Sequence, residues 1–535
     1  MKVLFKKSFL YLFDCYKNIL VFRKMLLLLL FINLISGAVL NYTLNVNYKW
    51  MTVDNFTKAV IAVNDMDVGP TIRGNLNDIV NIKVINSLWQ GAITTHFHGI
   101  HLPGVFYYDG VPGITQCGIE AGTNMTYTFQ LTNPGTHWIH SHVEGTREDA
   151  FYCAFIVEDP KEKFNYDEEH IIFISDFHKQ YIEEEAQILH SKPFKWLGEP
   201  FRLLVNGLTD YNISVIYNKT YLFRFISATA HSFVNISFPG HNLTIVEVEG
   251  TYTKPAKTQH LWINAGQRYT VLLHANNPGC YYVNVSSMSD PIYTLFGLKY
   301  NSVNCNSTSF VSSINNEVFN TSILEDKYPV MLPTPNKNMT ITMRILVDHE
   351  GGKTFAYNNI SFKFPPEPLI LSYYDGMLNF DNETQIIPVE VGDVIDIDLA
   401  NYGIFQHSHH IHLHSFYVLD SPNPIRRDTI TVHERSSAKI RIVFDNPSIC
   451  FAHCHSSWHS IQRLQMVFAY PPETIPRPPE DFLICGKRLN QRNEFEIPVY
   501  VLGAAVFVVS IFLITAVFYI CRIKGQTREH LPLVV

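Results

Sequence analysis

Eleven residues of this chain have the types and spacing of metal ligands. His96 and His98 stand in HFHG, and His140 and His142 in WIHSH. His409, His412 and His414 stand in HHIHLH, and His453, Cys454, His455 and His459 in HCHSSWH. Eight of the eleven form alternate-residue pairs, and side chains two apart on a strand share a face, so each pair can reach one small object.

Histidine with cysteine is a ligand set for zinc or copper, whereas calcium and magnesium take oxygen. Structural zinc often uses paired cysteines, and this cluster has one cysteine among an excess of histidines. One Cys with two His is the recipe of a blue-copper centre. His409, Cys454 and His459 are assigned to it here, with Leu464 in the axial position, where a side chain without a donor makes the centre a stronger oxidant. His453 and His455 point to the opposite face from Cys454. They join His96, His98, His140, His142, His412 and His414 in a second site whose eight imidazoles suffice for three coppers. Several redox metals and an electron relay suit the four-electron, four-proton reduction of dioxygen. The competing class is a non-catalytic, secreted-side copper-binding or adhesion ectodomain.

The elements that must position these residues read as strands. Short apolar alternations such as NIKVINSL, YLFRFISAT, YTVLLHAN and VIDIDLAN are separated by Gly, Pro, Asn and Asp. No long segment of helical period competes with them, so an all-β ectodomain is expected. The stretches from Asp78 to Asn86 and from Asp393 to Asn401 share an apolar pattern, and each leads into a histidine motif, which suggests duplicated sandwich domains. Expected boundaries are 39–160, 161–305, a polar connector at 306–340, and 341–490.

Residues 1–38 read as a signal or targeting segment, with LLLLLFINLI before Ser36, Gly37 and Ala38. The apolar run 497–521 is long enough to span a bilayer, and Arg522, Lys524 and Arg528 place the tail 522–535 in the cytoplasm. The expected product is a single-pass type I protein of the plasma membrane with an extracellular or lumenal ectodomain. Thirteen N-x-S/T sequons fit export. Setting aside Cys15, Cys454 and Cys521 leaves six of the nine cysteines, enough for up to three disulfides among Cys117, Cys153, Cys280, Cys305, Cys450 and Cys485. A net charge of −7 without basic clusters argues against nucleic acid as partner.

Together the four motifs resemble the multicopper oxidase family of laccases, ascorbate oxidase and membrane-anchored fungal ferroxidases, over roughly residues 45–485. Further family-like stretches are Asp109-Gly-Val-Pro with Thr115-Gln-Cys117, Val205-Asn-Gly207, Ala265-Gly-Gln-Arg-Tyr269 and Asn423-Pro-Ile-Arg-Arg-Asp428. The resemblance implies three cupredoxin-like Greek-key sandwiches and four copper ions, with the trinuclear cluster between the first and third domains. It implies type 2 copper on His96 and His412, and a type 3 pair on His98, His140, His142, His414, His453 and His455. It further implies a Cys117 to Cys485 disulfide, a hydrogen-bonding and proton-delivering role for Asp109, and catalytic roles for Cys454, His453 and His455 as the electron route.

Some positions depart from the family pattern. Ser457 stands where many relatives have a carboxylate, His410 where Pro is usual, Ser415-Phe416 where Gly-His is usual, and Arg463 where Gly is common. With dioxygen as acceptor, the expected donor is ferrous iron or a phenol, and the resemblance to iron-uptake ferroxidases brings with it an iron permease as partner. The ferroxidases' Asp, four residues before the first His of HxxHxH, is Phe405 on this count. Glu183, Glu184, Glu185 and Asp210 are the donor-site candidates.

Overall fold

The structure is a computed structural model that describes residues 37–488, apart from 198, 307–308, 315–316, 378–379, 422, 480–481 and 486. All but the last two residues of the expected leader lie outside the described residues, as do the apolar run 497–521 and the tail 522–535. Among the described residues no helix is long and apolar enough to cross a membrane.

The same strand order occurs three times along the chain. In the first sheet the order is Phe56–Val63, Val39–Val53, Ile79–Asn86, Asn124–Gln130. Here Val39–Val53 runs parallel to Ile79–Asn86, which is antiparallel to Asn124–Gln130. The order Arg202–Val205, Glu168–Phe177, Thr220–Ser227, Arg268–His274 repeats this, as does Lys353–Tyr357, Lys337–Val347, Asp393–Asn401, Ser437–Phe444. The two stretches with the shared apolar pattern therefore hold the same place in their sheets. Each of these sheets is accompanied by a second one, giving an all-β, cupredoxin-like, multi-domain fold. Three short helices are described: Ile182–Leu189, Leu369–Tyr374 and Ser457–Ile461.

Alternation explains the outer strands. Ile79–Asn86 buries every second side chain, as a strand with one solvated face must. The histidine-bearing strands behave differently: Gly135–His140, His407–Ile411 and Ile449–Cys454 are buried at every position. Their imidazoles are therefore taken out of water and need partners.

The third segment is tied to the first through the Cys117–Cys485 disulfide and through hydrogen bonds from Asn446 to the His101 carbonyl (2.6 Å) and between His101 and Ser415 (2.9 Å). A second disulfide joins Cys280 to Cys305. Six cysteines allowed three bridges, but Cys153 and Cys450 are buried thiols. Cys450 lies against the His412 carbonyl (Sγ to O 2.9 Å), and Cys153 packs on the glycine backbone at Gly69. Two of the sequon asparagines, Asn235 and Asn284, are buried in the second segment, which removes them as glycan acceptors.

Candidate metal centre

Three donor atoms converge beside the strand Ile449–Cys454. Cys454 Sγ lies 3.6 Å from His407 Nδ1 and 3.5 Å from His459 Nδ1, and the two nitrogens are 3.0 Å apart. Strand His407–Ile411 runs antiparallel to Ile449–Cys454, and the helix Ser457–Ile461 brings back His459. Burial pushes the Cys454 thiol up to about 12 and His407 down to about 3. The imidazole is therefore neutral, as a ligand must be, and a metal has to displace the thiol proton. The buried Leu464 accepts the Cys454 amide through its carbonyl (3.0 Å).

This geometry corrects the expected register by two residues. HSHHIHLH satisfies H-x-x-H-x-H twice, from His407 and from His409. His409 is the cross-strand partner of Cys454 by backbone register, yet its ring turns to the Tyr357 hydroxyl (2.7 Å) and is absent from the group around the sulfur. His414 leaves the cluster too. Leu413 takes a left-handed φ of 60°, which breaks the strand alternation and aims His414 at the Tyr470 hydroxyl (2.9 Å). Counted from His407, Ser408 stands in the Pro position and Leu413-His414 in the Gly-His position. The residue four before the first His becomes Gly403, which likewise supplies no carboxylate.

The second cluster holds His96, His98, His140, His142, His410, His412, His453 and His455. His142, His412 and His453 form one triad, with His453 Nε2 3.3 Å from His142 Nε2 and 3.2 Å from His412 Nε2. His98 Nδ1 faces His455 Nε2 at 3.2 Å, and His140 lies beside both rings. His96 groups with His410 and His412. His412, expected beside His96 alone, thus belongs equally to the His453 triad, and His410 takes the place expected of it.

Outward hydrogen bonds fix which nitrogen looks inward. Nδ1 donates to a backbone oxygen in four rings: His96 to Asp109 (2.8 Å), His140 to Ser141 (2.9 Å), His410 to Asp428 (2.8 Å) and His453 to Cys454 (2.9 Å). His412 Nδ1 donates to the Asp109 carboxylate (2.9 Å). The Nε2 lone pairs therefore point inward, and those of His96, His140 and His410 are buried without a partner. His98 is reversed, its Nε2 turned to Asp428 (3.2 Å) and its Nδ1 inward. Burial lowers the pKa of His98, His140, His142, His412, His453 and His455. Neutral lone pairs facing one another at 3.2–3.3 Å repel unless a cation lies among them, so the donor set fits metal ions.

Residues outside the motifs hold this arrangement. Asp109, fully buried, sits with one oxygen 3.1 Å from His96 and the other 2.9 Å from His412. Asp428 is clamped by both ends of the Arg268 guanidinium (2.7 and 2.6 Å), and Glu249 accepts the Asp428 and Thr429 amides. Arg268 and Asp428 stood in family-like stretches, but nothing in the sequence showed that they meet behind His98 and His410. Arg147 was also missed: its Nη1 lies 2.7 Å from His455 Nδ1, and its Nη2 pairs with Glu148 (2.8 Å).

The donor candidates divide. Glu183, Glu184 and Glu185 lie on the helix Ile182–Leu189, which packs against the helix carrying His459. Glu184 is exposed. Glu185 is buried 3.6 Å from His178 with Oε2 unpartnered, and burial pushes it up to about 7. Asp210 is exposed in a turn and is not among the contacts around His459. Besides His407 and Cys454, the His459 ring meets Phe355 (4.5 Å) and Phe405 (5.8 Å), and Phe405 stacks on the exposed Trp196 (6.2 Å, 11°). His231 lies between Trp196 and Trp458 and 3.8 Å from Asp290, whose carboxyl burial pushes up to about 6.

Three sequence models described as multicopper oxidase match residues 45–162, 168–307 and 349–474. An iron transport multicopper oxidase of Epichloe festucae is 29% identical over 511 residues, covering 86% of this chain and 82% of its own length. An L-ascorbate oxidase of Cucurbita maxima is 27% identical over 543 residues, covering 84% and 93%. Among solved structures, Fet3p, a multicopper oxidase that functions in iron import, gives a TM-score of 0.76 at 26% identity, over 82% of this chain and 92% of that one. The laccase from Botrytis aclada gives 0.75 at 25%, over 82% and 89%.

Proposed function

We propose that this chain, which belongs to the multicopper oxidase family, takes electrons singly from a phenolic donor beside His459 and delivers them to dioxygen at the eight-histidine cluster. Copper, when bound, supplies the one-electron redox steps and the reduction of dioxygen to water. His407, Cys454 and His459 would hold the type 1 ion, next to the buried Leu464. His96 and His410 would hold type 2, and the two triads His98, His140, His455 and His142, His412, His453 would hold the type 3 pair. Cys454 is flanked by His453 and His455, one from each triad, so the electron path between sites is a few covalent bonds long.

The chain's own groups do the rest. Asp109 orients His96 and His412 together and is placed to exchange protons with water in the cluster. Arg268 holds Asp428 ionised, and Asp428 fixes the His98 tautomer. Three cupredoxin domains at 39–160, 161–305 and 341–490 account for the repeated sheet order. Anchoring by 497–521 and an iron permease partner are readings of the sequence alone.

The observation that carries the phenolic reading is the aromatic rim: Trp196 is 45% exposed and parallel to Phe405, which leads to His459. Such a surface offers stacking to a planar donor. Asp290, Glu185 and the similarity to iron transport oxidases favour ferrous iron as a second reading, since carboxylates stabilise the ferric product. Steady-state oxygen uptake with a diphenol and with ferrous iron separates them. Trp196→Ala should raise KM for the diphenol about tenfold, the loss of roughly 1.4 kcal/mol of stacking, and leave iron oxidation unchanged. If Asp290→Asn and Glu185→Gln abolish a ferrous activity that far exceeds the diphenol activity, the donor is iron. Absence of uptake with either donor in copper-loaded protein would refute the oxidase itself.

A further inference from the structure

Reduction of dioxygen to two waters consumes four protons with its four electrons, and the buried cluster must receive them from solvent. A cavity of about 700 Å³ reaches it, lined by His140, His142, His453 and His455 and also by Arg147, Glu148 and Ser457. Within this lining Glu148 has a distinct position. Its side chain is only 7% exposed, its Oε1 is paired with Arg147 Nη2 at 2.8 Å, and the same oxygen accepts a hydrogen bond from the Ser457 hydroxyl. Arg147 in turn reaches the His455 ring at 2.7 Å and the His455 carbonyl at 3.2 Å. Glu148 thus brings a carboxylate to the Ser457 hydroxyl from the segment that follows His142.

We infer that Glu148 is a second proton-relay carboxylate of the dioxygen site, on the cavity side and apart from Asp109, acting through Ser457 as a positioning residue rather than by touching the reacting atoms. In each transfer the protonated Glu148 gives its proton to the Ser457 oxygen while the Ser457 hydroxyl releases its own toward water at the cluster. The carboxylate left on Glu148 then takes a proton from cavity water, so every proton consumed comes from solvent. Arg147 has no lone pair and cannot carry a proton. It holds Glu148 beside Ser457 and stabilises the carboxylate between transfers. The charged groups facing the carboxyl are Arg147 and the neighbouring Asp149, which pairs with Lys58. Glu144, His190, Lys363 and Arg463 line the rest of the cavity.

This inference rests on the oxidase reading, and the experiment keeps the two apart. Glu148→Gln, which keeps the shape and removes the proton, should bind the full complement of copper, show the same blue absorption and be reduced by its donor at the same rate without oxygen. Its reoxidation by dioxygen should slow at least tenfold, with a flattened pH profile, and adding Ser457→Asp should restore the rate. In copper-free protein, the infrared carboxyl bands that shift on exchange into D2O should shrink in Glu148→Gln. Unchanged reoxidation, failure of Ser457→Asp to restore it, or an unchanged infrared difference would each overturn the relay. A wild-type chain that takes up no oxygen would instead overturn the oxidase reading.

Discussion

Which histidine completes the Cys454 site can be decided by replacing His407 and His409 separately. His409 makes one hydrogen bond, to Tyr357, and its Nε2 is buried without a partner. His409→Leu strands the Tyr357 hydroxyl at a cost of about 1–3 kcal/mol, but it also removes an unsatisfied buried nitrogen whose desolvation costs about the same. The two nearly cancel, so the copper-free variant should unfold in urea within about 1 kcal/mol of wild type. After copper loading it should keep the intense thiolate-to-copper band and the same copper-to-protein ratio. His407→Ala removes a nitrogen 3.6 Å from the sulfur and should lose the band while the eight-histidine cluster keeps its metal. A bleached His409→Leu beside a blue His407→Ala would refute the register and restore His409 as the ligand.

Two further outcomes follow from strained or desolvated side chains. Glu185 is pushed up to about 7 from an ordinary 4.5 by burial, so the folded state binds the proton more tightly than the unfolded chain. Stability should fall as pH rises from about 4.5 to about 7, by at most about 3 kcal/mol. Glu185→Gln should therefore match wild type at pH 4 and exceed it at pH 8 in urea unfolding, and equal stability at both would contradict the burial argument. Arg463 is exposed with φ 77°, a conformation that costs a side-chain-bearing residue about 1–2 kcal/mol, less the extra entropy glycine loses on folding. Arg463→Gly should raise stability by about 0.5–1 kcal/mol, and a decrease would show that the side chain makes an unrecognised contact.

The sequence carried the chemistry further than it carried the geometry. Alternating His pairs placed the ligands on shared strand faces, and the likeness of 78–86 to 393–401 marked a duplicated sheet position, because both are consequences of strand period. The choice between His407 and His409 was not legible. Both satisfy the same spacing and both lie on the Cys454 face, so only the ring orientation separates them. His414 was misplaced for a different reason: alternation holds only while the backbone stays extended, and Leu413 turns it without the glycine that would have announced the turn. Arg268 with Asp428 and Glu148 with Ser457 are contacts across 160 and 309 residues, and local pattern does not report on such distances.

On the proposed reading, the short helix Ser457–Ile461 lets electrons and protons enter separately. Ser457, Ser460 and Ile461 line the cavity that leads to the histidine cluster. Trp458 meets His178 and His231, and His459 meets Phe355 and Phe405, on the donor side. One turn of helix thus carries the electron-accepting imidazole and the serine beside Glu148 toward different surroundings. Between them, strand Ile449–Cys454 puts Cys454 on the face of His407, and His453, paired with His410, on the opposite one. On that reading an electron crosses the sheet through the Cys454 backbone, while a proton reaches the cluster along the cavity, whose wall Cys454 shares with His453 and His455. Substitutions on the donor side should therefore change reduction of the protein, those on the cavity side its reoxidation, and only changes to the strand between them both.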